Sequence, residues 1–300
     1  MDVDFDDIAP GISSLSEALV LSVALLDGEE LGPPQSRDGS ALTNGDTYTP
    51  RQPQTAAGEC DGGRLSQTPT ERSINILLRM QTEISRSGLY AANETLDDVA
   101  TASLELLSVE YHLGRAYLQL PTHAPPATDG EGGDRIPGGG GGASASPAGL
   151  RRQNVARATE CYHSFLRRVE QLGDGVMAEA ALGEYHAMLD GEEEGEDGGG
   201  GRRGGARMNP AQLRDLKIRR FQRKKAAGRA RAHLGSLLDR RARLGLAPDE
   251  AMEGHDGESL RRTLAVETLR VHAETALEEL HSSSGEMEML EMALRMEGAR

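Results

Sequence analysis

Tryptophan is absent from this chain, and only three phenylalanines and six tyrosines bring the aromatic content to 3%. A core made without large rings must be built from small aliphatic residues. Cysteine is almost as scarce. The two present, Cys60 in a Gly-rich stretch and Cys161 in a helical pattern, have neither metal-ligand nor redox spacing, so a disulfide framework is not expected. Only three lysines occur, at 217, 224 and 225, which leaves the first two thirds of the chain without a phosphate-loop lysine or a Schiff-base lysine. No apolar run is long enough to span a bilayer, ALVLSVALL being the longest early one, and MDVDFDDIAP places acids where a secretory signal needs a basic start. These absences set the expectation of a soluble intracellular protein.

What is plentiful is glycine, 37 residues of it, with 13 prolines, both gathered between apolar segments. Residues 29–67, 121–149 and 190–207 are too polar and Gly-rich to offset their ordering entropy, so they are expected to be disordered insertions in a single helical domain spanning 1–300. Between them the apolar residues recur at helical spacing. Ile12, Leu15, Leu19, Val23 and Leu26 mark a first helix, and Thr70, Ile74, Leu77, Leu78 and Ile84 a second that stops at Ser87 and Gly88. Asn93 is a candidate cap, with Asp97 and Asp98 at the positive end, for a third helix of about 27 residues running to Pro121. Further helices are expected from Val155 to Val169 and from Val176 to Leu189. Asn209 with Pro210 starts a basic helix that reaches Leu244, and a last helix runs from Leu260 to Leu290 with a weak break at SSSG. No strand pattern of useful length appears, so the fold class is all-α.

Searching for chemistry yields little. IPGGGGGASAS lacks the Gly-Lys-Ser/Thr ending of a phosphate loop, and the histidines, such as His112, His163, His186 and His272, lack the i, i+4 spacing that aims two imidazoles at one metal. Asp97 and Asp98 read as helix-end charges, and no nucleophile elbow, HExxH or EF-hand loop occurs. An enzyme is disfavoured, and no cofactor or metal is expected.

Charge is the sharpest feature. The chain carries −15 overall, yet residues 202–243 hold fifteen Lys and Arg against Asp215 and Asp239, a local +13 that leaves −28 for the rest. Arg214 and Lys217, three apart on a helix, share a face that Phe221 and Lys224 continue. Three readings fit such a stripe: a solvated face balancing an acidic body, a nucleic-acid surface lacking the usual stacking aromatics, or a docking surface for a protein.

Four stretches carry a resemblance. LYAANETLDDVATASLELLSVEYHLGRAYLQL from Leu89, RRQNVARATECYHSFLRRVEQLG from Arg151, RDLKIRRFQRKK from Arg214 and ALEELHSSSGEMEML from Ala276 follow one another in order and cover about half the chain. Together they resemble the Tap-forty-two/alpha-four family of regulators of type 2A protein phosphatases. The resemblance implies an antiparallel helical array of the tetratricopeptide-like or fourteen-three-three-like kind. It also implies a phosphatase catalytic subunit as partner, and a cytosolic location with nuclear residence also open. Nucleic acid and membrane are not implied, and the chain is expected to be monomeric before it meets its partner. The family's contacting Arg and Lys fall on Arg214 and Lys217, and Arg220 and Lys224 of the same motif complete the expected partner-binding set. Family members usually continue into a tail with a Pro-Phe segment that has no counterpart before Arg300.

Overall fold

The computed structural model describes residues 14–28, 67–90, 94–122, 146–173, 175–193, 209–246 and 256–299. Every regular element among them is helical. α1 covers Leu15–Asp27, α2 Pro69–Ser87, α3 Thr101–Leu104, α4 Val109–Gln119, α5 Pro147–Gln171, α6 Glu179–Glu193, α7 Pro210–Leu244 and α8 Gly257–Gly298, with a turn of 3-10 helix at Glu105–Ser108 joining α3 to α4.

Local chemistry explains most of the ends. At α2 the backbone N–H of Thr68 donates to Glu71 Oε2 (2.8 Å) while the Glu71 N–H donates to Thr68 Oγ1 (3.2 Å), a reciprocal cap that satisfies two otherwise orphaned donors. Gly88 then ends α2 with φ of 60°, a left-handed value that a side chain would strain. α5 opens three residues earlier than the expected insertion allows. Ser146 accepts from the Gly149 N–H and Pro147 sits at the first helical position, so residues 147–149 are helix. Likewise α6 continues into the acidic stretch, making residues 190–193 helical. The remaining parts of the three expected insertions, at 29–66, 123–145 and 194–207, lie outside the described residues, as do Ile12, Cys60 and Asn93.

Two expectations about helix continuity are corrected. The third helix is not one element of about 27 residues from Asn93, because residues 94–100 form turns instead. Tertiary hydrogen bonds claim this backbone: the Leu96 N–H donates to Leu172 O at 3.0 Å, and the Arg262 guanidinium donates to the carbonyls of both Leu96 and Val99. Asp98 accordingly accepts from the Thr95 N–H (2.9 Å) and hydroxyl (2.7 Å), which hold its carboxyl below the usual range, and it serves as a turn cap. The second correction is at Ser282–Gly285, where α8 runs through unbroken. Ser283 is buried there, and beyond it Arg151 grips Glu286 in a bidentate pair (2.5 and 3.0 Å) while Arg152 meets Glu291. Packing on α5 outweighs the weak helix propensity of three serines and a glycine.

The helices stack as antiparallel neighbours. α4 lies on α5 with Tyr111 against Phe165 and Tyr117 against Arg157, so chain direction reverses between them. At Gly114 a Cβ would stand 2.9 Å from the Tyr162 ring, and glycine is what lets α4 and α5 approach so closely. α5 lies on α8 in the same reversed sense, with Gly149 beside Leu294 and Arg151 beside Glu286. One contiguous core joins α1, α2, α4, α5, α6 and α8 through fully buried residues such as Ile76, Leu77, Met80, Phe165, Leu166, Tyr185, Ala276 and Leu277. α7 contributes no residue to that core and packs chiefly on α8.

Imidazoles that look scattered in the sequence meet inside this core. His272 stacks on Tyr111 with ring centroids 4.2 Å apart, and His112 meets His272 edge-on at 5.1 Å. Burial, then the Arg115 charge, pushes His112 down to about 4, and burial holds His272 well below its ordinary range. Both rings are therefore neutral at pH 7. Among the described residues no helix is long and apolar enough to cross a membrane, and no group of three or more His, Cys, Asp or Glu could hold a metal.

Candidate functional site

The basic segment begins on a firm support. Pro210 takes the first position of α7, the Ala211 N–H donates to Asn209 Oδ1 (3.2 Å), and the Asn209 N–H donates to Gln212 Oε1 (3.0 Å). The first turn is thereby fixed, and the side chains that follow it project from known directions. At the far end Gly245, with φ of 64°, closes the helix after 35 residues.

The four expected contact residues divide into two groups. Arg214 and Lys217 are exposed and make no hydrogen bond or ion pair among the described residues. They lie four and seven residues beyond Pro210, on the face shared with Ile218 and Phe221, and with Leu213 these six line one open depression. Arg220 behaves otherwise. It is buried, at 4% exposure, with its Nε and Nη2 both 3.3 Å from Glu184 Oε2 on α6. Lys224 is only partly exposed and donates to Glu278 Oε2 on α8 at 2.8 Å. For these two, the expectation of a free partner contact gives way to an internal one.

The internal network has a third member that the motif does not single out. Arg223 donates to Glu274 Oε1 (2.6 Å) and Oε2 (3.0 Å) as a fork and reaches Glu184 Oε1 at 3.0 Å. Burial opposes its charge, but the Glu274 and Glu184 carboxylates outweigh burial and raise its pKa. Glu184 thus bridges Arg220 and Arg223, tying α6 to α7, while Glu274 and Glu278 tie α7 to α8. Nearby on α8, burial, then the charges of Arg220 and Lys217, holds the His281 imidazole below its ordinary range. His281 therefore does not add a positive charge at neutral pH. Glu184 and Glu274 carried no sequence signal, since they lie 39 and 51 residues from Arg223 and only the fold brings them there.

A bound group would find little here beyond cations and apolar surface. No nucleophile stands beside a base in this depression, and its lining of Pro, Leu, Arg, Lys, Ile and Phe suits recognition of a macromolecular surface.

Comparison with known proteins bears on the same segment. The model of the TAP42-like family matches residues 56–300. The chain belongs to the TAP42-like family. Two curated relatives align over short stretches. One is a protein of Oryza sativa subsp. japonica named PP2A regulatory subunit TAP46, 42% identical over 50 residues, which is 17% of this chain and 12% of the relative. The other is Type 2A phosphatase-associated protein 42 of Saccharomyces cerevisiae, 49% identical over 43 residues, 14% of this chain and 12% of that one. Each alignment thus covers about an eighth of the relative's length. A solved structure, titled The Structure of Tap42 Alpha4 Subunit, superposes with a TM-score of 0.55 at 19% identity, covering 94% of this chain and all of that one. The all-helical TAP42-like fold is shared at that distance, and the helical fold class read from the sequence stands.

Proposed function

We propose that this TAP42-like chain is a non-enzymatic regulator that binds the catalytic subunit of a type 2A-like serine/threonine phosphatase, with Arg214 and Lys217 as its electrostatic contact. It holds the catalytic subunit and so tunes dephosphorylation in signalling, acting as a monomer in the cytosol before the complex forms. Family membership and the phosphatase-linked names of two relatives support the partner class. The observation that carries the site is the division within one motif. Arg220, Arg223 and Lys224 are committed to Glu184, Glu274 and Glu278, whereas Arg214 and Lys217 follow a capped first turn with no carboxylate partner among the described residues. A rigidly held Arg–Lys pair can meet acidic groups with little ordering cost. The same division weakens the nucleic-acid reading, because phosphate binding rewards a continuous run of available cations and three of these are already neutralised.

The test is affinity of the full chain for a purified type 2A catalytic subunit. Reversing both residues, Arg214→Glu with Lys217→Glu, should weaken binding by at least about 100-fold, since losing one desolvated charge partner typically costs about 2–5 kcal/mol. Arg219→Glu with Arg229→Glu makes the same charge change at exposed positions of α7 outside the depression, Arg219 about 140° round the helix from Arg214 and Arg229 about 22 Å further along it, and should leave affinity within about threefold. Equal weakening by the two double variants would assign binding to net charge and remove the site.

A further inference from the structure

Phe221 is 63% exposed and Ile218 44% exposed, on a helix whose one other exposed large apolar residue, Leu244, is its last. The only other phenylalanine described, Phe165, is completely buried. Large apolar side chains left in water singly are ordinary, but here two of them join Pro210 and Leu213 in one depression. Relative to Pro210, the positions of Arg214, Lys217, Ile218, Phe221 and Lys225 are four, seven, eight, eleven and fifteen residues on, which places all of them along one side of α7.

The ring is also framed. Lys225 Nζ stands over the face of Phe221, 5.6 Å from its centroid, so a cation occupies one side of the ring and the remaining surface faces outward. Around this apolar centre the charged groups are Arg214, Lys217 and Lys225, all positive. The one acid in this part of the helix, Asp215, lies about 100° round from Arg214 and borders the patch on its Ile218 edge, three residues before that side chain. An apolar centre inside a predominantly positive rim is the arrangement of a binding hot spot, in which an aromatic anchor fills a pocket and the surrounding groups exclude water.

We infer that Phe221, with Ile218 beside it, is the apolar anchor of this surface, and that it enters an apolar pocket rimmed by carboxylates on the phosphatase catalytic subunit. This rests on the partner proposed above and deepens it: the charges orient the encounter, and the ring holds the complex. A basic partner is disfavoured by like charge at three positions. A second copy of this chain, which is acidic overall, is the competing occupant.

The experiment measures affinity of the full chain and its variants for the purified catalytic subunit at about 0.1 M and 0.5 M NaCl, with sedimentation of the free chain alongside. Phe221→Ala should weaken binding about 10- to 50-fold at both salt concentrations. The Arg214→Glu/Lys217→Glu penalty should shrink at the higher salt, where exposed charges are screened. Ile218→Ala should cost about three- to tenfold, and Phe221→Leu less than Phe221→Ala. Alanine favours helix and the ring is exposed, so circular dichroism should be unchanged. No binding by the unaltered chain would remove the proposed partner and this inference together. Binding that the charge reversal weakens but Phe221→Ala leaves within twofold would overturn the anchor alone. A free chain that self-associates through Phe221, with unchanged phosphatase affinity for Phe221→Ala, would also overturn it and assign the surface to a second copy.

Discussion

α5 and α7 both lie along α8, yet different forces hold them there. α5 buries Ala158, Tyr162, Phe165, Leu166 and Val169 in the common core. α7 is ten residues longer, but its buried residues are Arg220, Ala227, Leu237 and Arg241, and its attachment near the candidate site runs through Glu184, Glu274 and Glu278. Apolar burial is non-directional and is not weakened by charge screening, whereas an ion-paired seam demands particular partners. The contrast suits a helix whose outward face must keep its charges: an apolar stripe broad enough to anchor α7 would use positions that now carry Arg and Lys.

The comparison can be broken most severely from the α5 side. Phe165→Ala should cost about 3–5 kcal/mol by opening a cavity in the core, read as a lowered denaturant midpoint with every helix unfolding together. Loss of less than about 1 kcal/mol would mean that Phe165 does not sit in a packed core. Glu184→Ala comes next. It strands the nearly inaccessible Arg220 guanidinium and leaves Arg223 with Glu274 alone, and should cost about 3 kcal/mol, with faster amide exchange in α7 than in α5. Uniform exchange across both helices would show that α7 is not separately tethered. Lys224→Ala is the control, because its pair with Glu278 is solvent-exposed and should contribute under about 0.5 kcal/mol.

Acid sharpens the contrast more gently. His112 and His272 bind protons less readily in the folded chain than in the unfolded one, so their contribution is present above about pH 6.5 and is lost as pH falls toward 4. The groups facing them are Asp27 on α1, Arg115 on α4 and Arg231 on α7, and His281 titrates in the same direction. Between pH 7 and pH 5 stability should fall by on the order of 2 kcal/mol for His112 alone. A double His112→Leu/His272→Leu variant should flatten the dependence of melting temperature on pH, and an equally steep profile in that variant would assign the effect to other groups.

Where the chain's own punctuation is strong, the elements can be read without the fold. Asn209 and Pro210 start α7, Gly88 and Gly245 end α2 and α7, and the three-residue step from Arg214 to Lys217 puts both on one face. Elements decided by distant partners are not legible in this way. The backbone at Leu96 and Val99 turns because Arg262, over 160 residues later, takes its carbonyls, and Ser282–Gly285 stays helical because α5 packs alongside. The candidate site divides along the same line. Arg214 and Lys217 keep the exposure their spacing suggests, while Arg220 and Lys224, equally good by spacing, are drawn to carboxylates on α6 and α8. No local pattern could foretell that His112 and His272 would share the interior.

The length of α8 bears on how the molecule is made. Its 42 residues extend about 63 Å at 1.5 Å per residue, and α3, α5, α6 and α7 all rest on it. It is also the last described helix to leave the ribosome. Until it does, the faces of α4 and α5 that close on Ala265, Leu269, Ala273, Ala276, Leu277 and Leu280 have nothing to pack against. At about 5–20 residues per second the nascent chain spends roughly 2–8 s adding this helix. Closure of the core is therefore a late event of synthesis, and the apolar faces that α8 covers stay open throughout that interval.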